Sequence, residues 1–185
     1  VSSESVDAAN DGKAVHLSGM LATDELLTEP RFKVSANAIR LSSKVEMYQW
    51  RENKSTNTEK KLGGGEKTTT TYTYEKQWSP QPIDSSKFNQ RSGHENPPMP
   101  YEGQTIYARD VTLGAFKLSE GLVRQVRGSE TVNLNAEQRA ALPASLRASL
   151  KDDGPGYYRG ADPASPQVGD LRIRFDITTP AIVSL

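Results

Sequence analysis

From Asn37 to Trp50 the chain alternates. Ile39, Leu41, Val45 and Met47 fall on one side of an extended backbone, and Arg40, Ser42, Lys44 and Glu46 fall on the other. Period-two patterning of this length marks a strand buried on one face, so the rest of the chain must supply it with partners and a cover. Near the end, GDLRIRFDI repeats the pattern with Leu171, Ile173, Phe175 and Ile177 predicted inward against Arg172, Arg174 and Asp176. A shorter strand is predicted over Gly12 to Met20, where Val15 and Leu17 alternate with His16 and Ser18. In KTTTTYTYEKQW, Tyr72, Tyr74 and Trp78 share one parity, with threonines largely on the other, as suits a strand rich in β-branched and aromatic residues. Thr105 to Leu118 is strand-like as well, with Gly114 a candidate bulge or bend.

The connecting segments differ in kind. Residues Glu52 to Glu66 (ENKSTNTEKKLGGGE) are charged and glycine-rich, with too few apolar groups to offset the entropy of ordering them. A flexible loop is expected there, joining the strands on either side into a long hairpin. Ser79 to Gly103 carries Pro80, Pro82, Pro97, Pro98 and Pro100, which exclude a central strand and favour a shaped, irregular loop. Ser119 could cap a short helix running to Arg127, and Asn135 followed by Gln138 predicts a second capped start. Pro143 divides the segment 135–150 into two short helices, with Leu142, Leu146 and Leu150 stacked at four-residue spacing. The expected architecture is a single β-rich α+β domain over residues 1–185. It has a mainly antiparallel, twisted sheet carrying one or two short helices, and a β-barrel or sandwich is the alternative.

Composition narrows the functional classes. The 23 basic residues are balanced by 23 acidic ones, so no net field favours nucleic acid, and none is expected as a partner. Without cysteine there are no disulfides, thiolate metal sites or cysteine nucleophiles. No apolar run approaches the roughly 18 residues that span a bilayer, and VSSESVDAAND is no secretion signal. The sequence reads as a water-exposed piece of a longer protein.

The most chemical-looking segment is IDSSKFNQRSGHENP, which gathers Asp84, Ser85, Ser86, His94 and Glu95. A metal site needs three or four ligands, and the other histidine, His16, is predicted on a distant strand. A serine hydrolase would need a GxSxG elbow or an SxxK pair, and neither is present. The local reading is that Asp84 and Ser85 close a turn on the backbone, while Gly93, Asn96 and the prolines fix the loop on the sheet. Trp50, Tyr72, Tyr74 and Trp78 form either a ligand platform or, as is commoner for aromatics at strand parity, a core face. Glu46, directed outward, is expected to pair with a cross-strand lysine or arginine or to mark an interface. The three glycines at Gly63 to Gly65 lack the Lys-Ser or Lys-Thr of a phosphate loop.

Six segments occur in a telling order: VEMYQW (Val45 to Trp50), YTYEKQW (Tyr72 to Trp78), IDSSKF (Ile83 to Phe88), GHENP (Gly93 to Pro97), VTLGAFKLSEGL (Val111 to Leu122) and VGDLRIRF (Val168 to Phe175). In this order the chain resembles the LUMA (transmembrane protein 43) family over roughly Gly12 to Phe175. Within that span, residues 52–66 and 129–166 carry no matching motif. The resemblance implies a membrane-embedded, multi-pass parent with this segment as its extramembrane domain, in the periplasm of a bacterium or in the endoplasmic reticulum or nuclear-envelope lumen. It implies a non-catalytic scaffold without cofactor or metal that organises membrane-associated proteins, with self-association through edge strands near the glycine loop as a further expectation. The candidate interaction residues are Glu46, Tyr48, Trp50, Trp78, Asp84, Ser85, His94, Glu95 and Asn96. A hydrolase or metal-dependent enzyme centred on His94, Glu95 and Asp84 is the alternative, and a sugar- or lipid-binding module using the aromatic face is the second.

Overall fold

A computed structural model describes residues 2–184. In chain order its strands are β1 (Ser18–Ala22), β2 (Leu26–Thr28), β3 (Ser35–Asn37), β4 (Arg40–Lys60), β5 (Glu66–Ser79), β6 (Gln104–Tyr107), β7 (Thr112–Leu113), β8 (Phe116–Lys117), β9 (Glu130–Thr131), β10 (Lys151–Asp153), β11 (Gly156–Arg159), β12 (Leu171–Thr178) and β13 (Ile182–Ser184). Three short helices, α1 (Glu120–Val123), α2 (Ala136–Ala140) and α3 (Ala144–Arg147), lie between β8 and β10. The protein is β-rich α+β with antiparallel sheets that stay open. The largest sheet has the order β10-β11-β12-β4-β5, with β6 added to β4 and β9 to β12. The chain forms two compact units. The division falls inside β4, because its first residues join one set of contacts and the rest of its length joins another.

The first unit takes residues 2–44, 103–157 and 173–184. Its core is built on the predicted alternation: Ile39, just before β4, and Leu41 of β4 are buried with Leu21, Val111, Leu113 and Val123. Burying side chains of this size stabilises by about 1.5–3 kcal/mol each. Phe175 meets Phe32 edge-on at 5.6 Å between ring centroids and Tyr157 at 6.2 Å. Asn135 and Gln138 form the reciprocal capping box that starts α2, and Pro143 immediately precedes α3. Leu142 and Leu150 are buried and Leu146 half-buried. Glu29 is a buried carboxylate, 1% exposed, which accepts the backbone N–H groups of Arg31 (2.8 Å) and Phe32 (2.6 Å). On β12 the outward assignment of Asp176 is corrected: it is buried, ion-paired with Lys44 and hydrogen-bonded by Thr131, while Ile177 is only half-buried.

Three other expectations are corrected here. The strand predicted from Gly12 begins only at Ser18, and Val15 is 39% exposed. Two alternating residues are too few to hold a strand against the 3-10 turn Ala8–Asn10 and the left-handed Gly12 that precede it. The run Thr105 to Leu118 breaks into β6, β7 and β8, because Gly114, at φ +58°, makes the turn between the last two. A Cβ there would meet the Ser3 carbonyl oxygen at 2.2 Å. Ser119 precedes a helix that ends at Val123, and its side chain makes no cap.

The second unit takes residues 45–102 and 158–172. The expected loop Glu52 to Glu66 is instead strand through Lys60, paired in register with β5 from Met47↔Ser79 to Lys60↔Glu66. A polar sequence has no core to bury, yet the ladder satisfies its backbone groups. Side chains add cross-strand bonds such as Asn53 Nδ2 to Glu75 (2.9 Å) and the Thr58–Thr68 hydroxyl pair (3.1 Å). Only residues 61–65 turn, with Gly63, Gly64 and Gly65 all at positive φ. In such positions glycine carries no steric penalty.

Candidate functional site

Beyond β5 the proline-rich segment folds back along the hairpin, and the residues that hold it there include four of the nine predicted candidates, Trp50, Ser85, His94 and Asn96. Because Tyr48 donates its backbone N–H to Asp170 O (2.9 Å) and accepts from Gly169 (2.9 Å), the even-numbered residues of β4 present their backbone groups away from β5. At Trp50, two positions on, Asn96 takes over the role of a backbone. Its Oδ1 accepts the Trp50 N–H (2.7 Å), and its Nδ2 donates to the Trp50 carbonyl (2.9 Å) and to Ile83 O (3.2 Å). Ser85, buried, accepts the Asn96 backbone N–H through its Oγ at 2.9 Å.

The other anchors come from both faces of the hairpin. Gln49 is fully buried at an inward position, where its Oε1 accepts the Ile83 N–H (2.8 Å) and its Nε2 donates to Gln81 O (3.0 Å). On the opposite face, Glu52 Oε2 accepts from the Asn89 N–H (2.5 Å) and the Tyr74 hydroxyl (2.6 Å). That hydroxyl in turn accepts the Gln90 N–H at 2.8 Å. Desolvation, followed by the hydrogen bond to Glu52, pushes the Tyr74 phenol above its ordinary pKa. His94 stacks on Tyr74 at 3.9 Å between centroids and meets Trp50 edge-on at 4.7 Å, with its Nδ1 at 3.1 Å from Gln90 O.

A second cluster surrounds Trp78. Tyr48, its cross-strand neighbour, lies 5.2 Å away, Tyr158 meets it edge-on at 6.3 Å, and the Arg172 guanidinium sits 4.6 Å over its ring. Arg172 also donates to Glu46 at 2.5 Å, so Glu46 has a cross-strand arginine partner. Tyr158 donates to Asp170 Oδ2 (2.6 Å), which also accepts the Gln167 N–H (2.9 Å) and so ties the turn before β12 to β11.

The candidates therefore fall into three sets. Trp50, Ser85, His94 and Asn96 are brought together, as are Glu46, Tyr48 and Trp78. Asp84 and Glu95 remain in local turns: Asp84 accepts from Ser86 N (3.1 Å) and its hydroxyl (2.5 Å), and Glu95 accepts from Gly93 N (3.0 Å). The Ser86 hydroxyl bond, with Lys87 next, holds the Asp84 carboxyl below its usual pKa. Among the described residues no group of three histidines and carboxylates is placed to hold a metal. The core reading of the aromatic face is corrected, since Trp50, Tyr72, Tyr74 and Trp78 are all half-buried. Sequence reasoning missed Gln49, Glu52, Tyr158, Asp170 and Arg172 as anchors. Only Gln49 carried a signal, as a polar residue at an inward parity.

Comparison with known proteins finds a match over the region that holds this site from its second residue, Tyr48, onward. A family model described as Transmembrane protein 43 matches residues 47–185. The chain is 34% identical over 172 residues to Transmembrane protein 43 of Homo sapiens and of Rattus norvegicus, covering 92% of this chain and 41% of each relative. It is 30% identical over 176 residues to the Transmembrane protein 43 homolog of Drosophila melanogaster, covering 93% of this chain and 44% of that protein. The chain thus spans less than half the length of these relatives. No solved structure matches it significantly.

Proposed function

Because this chain belongs to the Transmembrane protein 43 family, a family of membrane proteins, we propose that it is an extramembrane interaction module that recruits membrane-associated proteins beside a multi-pass parent. No helix among the described residues is long and apolar enough to cross a membrane. The module faces the lumen of the endoplasmic reticulum or nuclear envelope, or the periplasm in a bacterial setting. Its work is non-catalytic: it presents the loop Ile83 to Pro100, locked on the hairpin, as a shaped surface.

The observation that supports this reading is the engagement of Asn96. A side chain that replaces a strand's backbone partners at Trp50 fixes the loop rigidly, and a preordered surface loses little entropy when a partner docks. Crosslinking of the full-length parent in its native membrane, followed by mass spectrometry, tests it. Neighbours should crosslink through the loop in the wild type and be lost in Asn96→Ala and Trp50→Ala variants that retain membrane insertion. Partner recovery unchanged in both variants overturns the docking surface. Robust esterase, phosphatase or peptidase turnover abolished by His94→Ala overturns the non-catalytic assignment.

A further inference from the structure

β5 ends the seven-stranded sheet, and among the described residues it pairs only with β4. Register fixes which of its backbone groups are left over. Tyr48 and Trp50 turn theirs away from β5, and Tyr48 lies opposite Trp78, so the even-numbered residues of β5 turn their N–H and C=O groups to the open side. An edge of this length is usually blunted by a charge, a proline or a bulge. Here Thr68 to Tyr74 (TTTTYTY) carries none of these, and every residue in it favours an extended chain.

The charges flank that stretch in a self-complementary order. Laid antiparallel on a second copy with the two-fold axis at Thr71, Glu66 of one copy faces Lys76 of the other, and Lys67 faces Glu75. Symmetry makes each pair twice. Between them Thr68 faces Tyr74, Thr69 faces Thr73 and Thr70 faces Tyr72. The even pairs are the hydrogen-bonded ones, as the open groups require, and Thr71 meets its copy at a non-hydrogen-bonded site. Moving the axis two residues either way removes every opposite-charge pair. The same ends already face opposite charge within the hairpin, at Lys60↔Glu66 and Glu59↔Lys67, so a third strand extends an existing ladder.

We propose that the outer edge of β5 is a homotypic interface, on which a second copy of this chain pairs antiparallel about Thr71 and continues the sheet across the dimer. This surface is the edge of the hairpin and not the proline-rich loop, so the inference stands or falls separately from the docking role.

The chain contains no cysteine, which makes the test clean. A cysteine in place of Thr71 meets its own copy with Cα atoms about 4.5 Å apart, within disulfide reach, whereas one in place of Thr69 lies roughly 13 Å from its copy, beyond it. Under mild oxidation the Thr71→Cys chain should become a covalent dimer at least about tenfold faster than the Thr69→Cys chain. In sedimentation velocity over a concentration series, the double variant Lys67→Glu with Lys76→Glu opposes like charges and should weaken dimerisation about tenfold or more. Adding Glu66→Lys and Glu75→Lys reverses every pair at once and should restore it. Unchanged far-ultraviolet circular dichroism keeps a misfolded variant from being read as a result. Equal crosslinking of the two cysteine variants, a wild-type chain that sediments as a monomer throughout, or charge reversal without effect each overturns the proposal.

Discussion

β4 is one strand made by two chemistries. From Arg40 to Trp50 it alternates buried and half-exposed residues with few exceptions, and Leu41, Val45 and Met47 are 1% exposed or less. From Asn53 to Lys60 almost every side chain is exposed, yet the backbone continues in the same register against β5. The first stretch is a strand because water is excluded from one face. The second is a strand because its partner satisfies its amides and a glycine turn closes the hairpin at the right distance. Hydrophobic periodicity reports the first cause and is blind to the second.

The largest effect should come from the apolar stretch. Leu41→Ala empties a fully buried site and should cost about 2–5 kcal/mol, read as a lower denaturant midpoint. A loss below about 1 kcal/mol there would mean that the core does not set the strand, and the comparison would fail at its strongest point.

Gln49 lies where the two chemistries meet and should come next. Its side chain accepts the Ile83 N–H and donates to Gln81 O. Gln49→Ala removes both bonds and empties a fully buried position, for a loss of about 2–3 kcal/mol. Asn96→Ala acts on the open edge and should cost about 1–2 kcal/mol, with faster hydrogen exchange at the Trp50 amide than elsewhere in β4. If the Trp50 amide keeps its protection in that variant, Asn96 does not complete the ladder.

These residues also explain how much could be read in advance. The alternations in β4 and β12, the hairpin partner, the Asn135 cap and the two short helices around Pro143 were legible because each is a local rule with a local cause. The Glu52–Lys60 strand was not, since pairing is a contact between segments and polar composition says only that a segment has no core. At the site, Glu46, Trp50, Ser85, His94 and Asn96 were legible as unusual residues on a strand or in a proline-bounded loop. Glu52, Asp170 and Arg172, which reach Tyr74, Tyr158 and Trp78, were not, because which carboxylate or guanidinium reaches an aromatic ring depends on where the return strand runs. The aromatics themselves were misassigned to a core, since strand parity gives a residue's face but not the depth of its cover.

Tyr74 sharpens the comparison through pH, because its hydroxyl joins the polar face of the hairpin to the loop. Its phenol titrates above the ordinary 10.0, chiefly through desolvation and the bond to Glu52. The neutral form is therefore favoured in the folded state. Its stabilising contribution is complete below the unfolded pKa and is lost as pH rises through the folded one. Ultraviolet titration should show Tyr74 and Tyr157 ionising late, and Tyr74→Phe should remove one of the two while leaving stability less dependent on pH in the alkaline range. Late ionisation of undiminished amplitude in Tyr74→Phe would exclude Tyr74 and leave it to other phenols such as Tyr157, whose pKa is also raised by desolvation.

The smallest effect belongs to the far end of the hairpin. Thr58→Ala removes one exposed hydroxyl contact with Thr68 and should change global stability by less than about 0.5 kcal/mol. The nearby amides, from Asn57 to Lys60, should nevertheless exchange faster, since a strand held by pairing alone opens locally when a cross-strand contact is lost. Leu41→Ala should do the reverse, lowering the global midpoint while leaving the exchange of the tip amides unchanged. A Thr58→Ala chain that loses as much global stability as Gln49→Ala would show the tip to be part of the cooperative core, and β4 would then have one chemistry along its length.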